Sequence, residues 1–172
     1  MNGLDHLTIP QLETGASDLR NAALVVEHAG HTKGTLFDHE HGTVCAAGAI
    51  DLATYRRLGY IGDPLKRYVV IDSFSDSEHY RAENAYVILA DFLPGELCDA
   101  CDYTKVCDCP DHDGVPHVLH EGTTPWEKLI HYNDRHCSGG QLLSNLLRLA
   151  ADRAELAIFD RRRMLTGSVL SA

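Results

Sequence analysis

The sequence predicts a mainly α-helical protein: a bundle of about five helices with an inserted cysteine-rich, zinc-binding loop. Three observations predict it. Apolar residues recur at helical spacing along most of the chain, with little strand-like alternation. Two segments open on Ser/Thr capping boxes that lead into apolar stripes. Four of the six cysteines crowd into one acidic stretch, Cys98 to Cys109.

A chain of 172 residues suits one domain of ordinary size, and 44% hydrophobic residues suffice for a core. A single helical domain is expected over 1–172, with residues 94–122 inserted within it. The formal charge of −10 argues against general nucleic-acid binding and against an anionic membrane surface. It favours a protein partner with a basic surface. No apolar run approaches the roughly 18 residues that span a bilayer. Met1 to Gln11 lacks the basic-then-apolar pattern of an export signal. The expected compartment is the cytoplasm.

Residues 1 to 14 hold Gly3 and Pro10 and read as a surface arm. Ser17 caps the first helix, whose face carries Leu19, Ala22, Ala23 and Val26, and Gly30 stops it. His28, His31, His39 and His41 follow. The run Asp38-His39-Glu40-His41 suggests a second metal site, but solvated loop histidines are the expected account, since no cysteine is near.

Cys45 opens the second helix, with Ala46, Ala49, Ile50 and Ala53 on one face and Gly59 at its end. Gly62-Asp63-Pro64 is a turn. Tyr68-Val69-Val70-Ile71 has strand character but no evident partner strand. The third helix starts at Ser75 or Ser77, buries Ala82, Ala85, Tyr86 and Leu89, and stops at Pro94-Gly95.

Thr124-Pro125-Trp126-Glu127 is a capping box with proline at the first helical position, and starts the fourth helix. Ser138-Gly139-Gly140-Gln141 starts the fifth and longest. Its stripe of Leu143, Leu146, Leu147, Ala150, Ala154 and Ala157 runs to about Phe159. Arg161, Arg162 and Arg163 fall in its last turns, where cations suit the helix dipole. A docking patch is the sharper reading of that run.

The chemistry concentrates in the inserted loop. Cys98 and Cys101 have the Cys-x2-Cys spacing that gives zinc two ligands from one turn. Two more come from Cys107, Cys109, His112, His117 and His120, and Cys109 with His112 has the easier spacing. The candidate ligands are therefore Cys98, Cys101, Cys107, Cys109 and His112, and the ion is a structural Zn2+. Asp99, Asp102, Asp108, Asp111 and Asp113 raise local cation affinity and can orient histidines. A calcium loop fails, because Cys109 and His120 would occupy positions that need oxygen ligands. Free thiols and disulfides are the alternatives, the latter disfavoured in a chain without an export signal.

Catalytic signatures are sparse. Cys45 at a helix N-terminus, where the dipole lowers a thiol pKa, could work with His131, Asn133, Asp134 or His136. The plainer account is a small buried cysteine among alanines, with Asn133-Asp134 as a turn and cap. Glycine-rich phosphate loops, His-Glu-x-x-His and Gly-x-Ser-x-Gly are absent from the sequence.

Three pieces resemble an uncharacterised family of small actinobacterial and actinophage proteins, known only as a domain of unknown function. They are Leu19-Arg20-Asn21-Ala22-Ala23 with Glu27-His28-Ala29-Gly30; Gly42 to Ile50, reading GTVCAAGAI; and Tyr132-Asn133-Asp134 before a leucine-rich helix. The family pattern has Trp where this chain has Tyr132, and the cysteine loop is an addition to it. The resemblance implies a bacterial or phage cytoplasmic setting and no established activity. The leading expectation is a non-enzymatic, zinc-stabilised interaction module, phage-encoded and acting on a host protein. The alternative is a Cys45-dependent hydrolase or transferase.

Overall fold

A computed structural model describes residues 4–57, 82–93, 96–97, 118–119 and 124–169. Among them are five helices: α1 (Ile9–Ala29), α2 (Ala46–Arg57), α3 (Glu83–Phe92), α4 (Pro125–Arg135) and α5 (Gly140–Val169). Two small strand pairs join them. β1 (Phe37–Asp38) and β2 (Thr43–Val44) are antiparallel, and β3 (Glu96–Leu97) and β4 (Val118–Leu119) are parallel. The chain is thus mainly helical, as its patterning predicts.

The frame is the antiparallel pair α1 and α5, the most extensive contact among the described helices. Each helix presents a seam spaced four and three: Leu12, Ala16, Leu19, Ala23 and Val26 on α1, and Leu143, Leu147, Ala150 and Ala154 on α5, all buried. This is coiled-coil spacing. Each fully buried leucine contributes roughly 1.5–3 kcal/mol of transfer free energy. Ile50 of α2, Ile88 and Leu89 of α3 and Leu129 of α4 complete a single core with the seam.

Ion pairs flank the seam at every second turn. Glu13 meets Arg162 at 2.5 Å, Arg20 meets Asp152 and Glu155 at 2.7 and 2.8 Å, and Glu27 meets Arg148 at 2.5 Å. A step of seven along α1 is matched by a step of seven back along α5, and the signs alternate. Sliding one helix by a heptad would set Glu13 against Glu155. Exposed pairs are each worth under about 1 kcal/mol, so the pairs select register while the seam supplies stability.

Several sequence expectations change. α1 begins at Ile9, and Ser17 lies exposed inside it. Its cap is Thr8, in a full capping box with Gln11, and Pro10 occupies the first turn. The expected surface arm is therefore largely part of the fold: Leu4, Leu7 and Leu12 are buried. α5 does not fade near Phe159 but continues to Val169. Two of the arginines expected in its final turns serve its flank. Arg161 donates to the carbonyls of Leu7 and, at 2.6 Å, Leu4, and Arg162 pairs with Glu13.

Gly30 ends α1 at φ +88°, as expected of a stop glycine. Thr124 and Glu127 form the expected box at α4. Ala82, Ala85, Tyr86 and Leu89 are buried as the third helix's face predicts, although α3 itself begins at Glu83. Lys128 of α4 donates to the carbonyls of Ala90 and Leu93 at 2.6 and 2.8 Å, closing the end of α3. Burial lowers the pKa of this ammonium, and Asp91 partly offsets the effect. The Gly59 stop, the Gly62-Asp63-Pro64 turn, the Tyr68–Ile71 run and the Ser75/Ser77 start lie outside the described residues.

Candidate functional site: a buried asparagine joining three segments

Asn133 sits in the last turn of α4 and is fully buried. Its Oδ1 accepts from His31 Nε2 at 3.0 Å and from the Ala46 backbone N–H at 3.0 Å. Its Nδ2 donates to the Thr32 carbonyl at 3.1 Å and to Asp134 Oδ1 at 2.9 Å. Two acceptances and two donations are the whole capacity of an amide side chain. The bond to Oδ1 also places the His31 proton on Nε2, because an amide oxygen can only accept.

The segments it joins are set by local rules. Gly30 turns the chain out of α1, so His31 and Thr32 return beside β2, where Thr32 N–H donates to the Val44 carbonyl at 3.0 Å. Asp134 Oδ1 also accepts from the Gly34 N–H at 2.9 Å, holding the next stretch of the same loop. Ala46 is the first residue of α2, and its N–H has no partner within the helix. Asn133 therefore caps α2 from another helix.

Cys45 precedes α2 and caps it as well. Its carbonyl accepts from Ala49 N–H at 2.9 Å, and its Sγ accepts from Gly48 N–H at 3.5 Å. Gly48 must be glycine, because a Cβ there would run into the Leu36 carbonyl and the Phe37 ring. The Cys45 thiol is 1% exposed, and burial pushes its pKa up to about 11, although the Gly48 and Ala47 N–H groups pull it down. Sequence reasoning expected the helix N-terminus to lower it. The desolvation of a thiolate outweighs those N–H groups. Cys137, also buried, is pushed to about 11 by burial, with Lys33 pulling the other way. Both thiols are protonated at neutral pH. A sulfur nucleophile works as thiolate, so in this state the node binds segments together rather than activating a sulfur.

A second polar group lies where α1, α2 and α3 meet. Asp18, Asp51 and Thr54 are buried; Thr54 Oγ1 donates to Asp18 Oδ2 at 3.3 Å, and the Tyr86 hydroxyl donates to Asp51 Oδ1. Sequence reasoning missed it. The available signal was an acid beside the apolar face at Leu19.

Of the residues weighed with Cys45, the structure brings Asn133 and Asp134 to the node. The expected turn role of Asn133-Asp134 is corrected: both lie within α4, and they reach the α1–α2 connection rather than cap their own helix. His131 lies in α4, and His136 ends it, 5.7 Å from Tyr132 between ring centroids. The histidine at the node is His31, which was grouped with the loop histidines. His41 pairs with Asp38 at 2.8 Å, holding the Asp38 carboxyl below the usual carboxylate range. No three His, Cys, Asp or Glu side chains among the described residues are grouped to hold a metal. The expected zinc ligands Cys98, Cys101, Cys107, Cys109 and His112, with His117 and His120, lie outside the described residues. The strands that bracket Cys98 to His117 do not. Glu96 pairs with Val118 and Leu97 with Leu119, so the entry and exit of that stretch stand side by side.

The fold and the node define a class: a mainly helical protein whose α1–α2 connection is locked by an asparagine from α4. The chain matches a family of unknown function, DUF6197, over residues 10–153, and belongs to it. That span contains all three pieces of the resemblance, and the structure gathers two of them, GTVCAAGAI and Tyr132-Asn133-Asp134, at one node. No curated protein and no solved structure matches the chain. Among the described residues, no helix is long and apolar enough to cross a membrane.

Proposed function

We propose that this chain is a non-enzymatic protein-interaction module, stabilised by structural zinc in its cysteine-rich stretch and binding a partner with a basic surface. The observation that carries the reading is the saturation of Asn133. The polar side chain best placed for chemistry has all four hydrogen bonds committed to the fold, beside a buried, protonated thiol. The charge of −10 supports a basic partner. The paired strands set Leu97 and Val118, the residues on either side of 98–117, close together, and four thiols with an imidazole are a donor set zinc accepts. A cytoplasmic setting, a phage origin and a bacterial host target belong to the same proposal, on the family resemblance. The test is elemental analysis with capture of a purified basic partner at low and high salt. A metal-free protein that ignores basic surfaces and turns over a substrate would sink it.

One observation favours a second reading, a Cys45-dependent hydrolase or transferase. Cys45 adjoins the Ala46 N–H that Asn133 accepts, and Asn133 holds His31 on its other side. Fast alkylation of Cys45 in the folded chain would support it. Labelling only on unfolding would end it.

A further inference from the structure

The turn at Leu4 and Asp5 lies against the second half of α5, and the two enclose a groove of about 450 Å3. That volume falls in the range of ligand sites. The α5 wall is one stripe spaced three and four, carrying Leu156, Ala157, Asp160 and Met164. Leu4 closes the groove from the other side. Leu156 and Met164 are 63% and 66% exposed, so the apolar wall is open to solvent. A methionine in such a wall adapts its shape to what it covers.

The charges in the groove say what fits it. Both guanidiniums that line it are engaged. Arg161 donates to the Leu4 and Leu7 carbonyls, and Arg153 pairs with Asp91 at 2.9 Å. Asp5 and Asp160 are exposed and hold no hydrogen bond or ion pair among the described residues. With the Arg153–Asp91 pair neutral, two carboxylates against Arg161 leave the lining one negative charge. An anion would meet two unpaired carboxylates. An uncharged apolar ligand would desolvate both with no return. A cation on a long apolar stem fits both parts of the lining, and arginine is such a side chain. Its planar fork can bond two carboxylates at once, which a single ammonium does less well.

We infer that this groove takes an arginine side chain of a protein partner. The stem lies along Leu156, Ala157 and Met164, and the guanidinium bonds Asp5 and Asp160. The inference rests on the basic-partner reading above, and it puts the contact on α5 rather than in the cysteine-rich stretch.

The experiment titrates the nitrogen-15-labelled full chain with the peptide acetyl-Gly-Ala-Arg-Ala-Gly-amide at low salt, followed by NMR. Amide shifts should concentrate at Leu4 and Asp5 and from Arg153 to Met164. Citrulline in place of the peptide's arginine keeps the shape, removes the charge and should abolish the shifts. Asp5→Asn/Asp160→Asn should weaken binding about five- to tenfold, the loss of two partly exposed ion pairs. Far-UV circular dichroism should be unchanged, since both side chains are exposed. Shifts confined to other residues, or a variant that binds like the wild type, overturn the groove and leave a basic partner standing. A peptide that binds nowhere also overturns the groove. The wider reading falls only if a purified basic protein, tested separately at low salt, is not captured.

Discussion

Asn133 Oδ1 accepts the Ala46 backbone N–H at 3.0 Å, so α2 is capped by a residue of α4 far along the chain. Removing the amide would orphan that N–H, the His31 Nε2 proton and the Thr32 carbonyl together. Asn133→Ala should therefore lower the unfolding free energy by about 2–4 kcal/mol, a lost cap plus buried unsatisfied groups. Asn133→Asp keeps the acceptor and loses the donor. It also sets a carboxylate against Asp134 and the Thr32 carbonyl. Its deficit should be large at pH 7 and shrink below about pH 5, as the new carboxyl is protonated. Urea titrations at both pH values check this. Equal deficits at the two would contradict the geometry.

The two buried thiols make an alkaline prediction. Cys45 and Cys137 are each raised from 9.0 to about 11 in the folded chain. Between those values the unfolded chain loses thiol protons that the folded chain keeps. Ionisation then favours the unfolded state, so the thiols' contribution is complete below pH 9 and is lost as pH rises toward 11. Thermal melts from pH 8 to 11 should fall more steeply for the wild type than for Cys45→Ser/Cys137→Ala. In the folded protein at pH 8, peptide-mapped alkylation at both positions should be slow, and unfolding should release it.

The α1–α5 flank separates register from stability. Arg20→Ala breaks two exposed pairs and should cost under about 1 kcal/mol, less still at high salt. Leu147→Ala empties a fully buried site in the seam and should cost about 2–5 kcal/mol at any salt. Exchanging Glu13→Arg with Arg162→Glu should restore what either single change removes, because the pair is kept and only its direction reversed. Urea unfolding at two salt concentrations separates these outcomes. A salt-sensitive Leu147→Ala deficit would break the argument.

What the sequence revealed follows the range of the forces involved. The Thr124 box at α4 was legible because its residues are neighbours, and the α5 stripe because helical period is local. The start of α1 was equally local, in Thr8 and Gln11. Residues 1 to 14, with Gly3 and Pro10, read as a surface arm, though proline is at home in a helix's first turn. Asn133 was not legible. A turn asparagine and a buried cross-link look alike until His31, Thr32 and Ala46 are placed around it. Arg161 was misread for the same reason. Its partners are carbonyls at the other end of the chain, which no periodicity reports.

Zinc gives the prediction that most affects the proposed function. Protein purified without added metal should hold one zinc per chain by elemental analysis, on Cys98, Cys101 and two of Cys107, Cys109 and His112. Thiolate ligands compete with protons, so occupancy should fall as the solution is acidified. The described residues of α1 to α5 already gather a core of their own. Chelation should then open residues 94–122 to proteolysis while leaving most of the helical circular dichroism in place. In isolated finger peptides, zinc contributes roughly 10–16 kcal/mol and its loss unfolds everything. Here that energy would be confined to the stretch between Leu97 and Val118. If chelation collapsed the whole bundle, the stretch would be a core element rather than an insertion. If no metal were found and the thiols of Cys98 to Cys109 titrated freely, the zinc proposal would end and Cys45 would become the first cysteine to pursue.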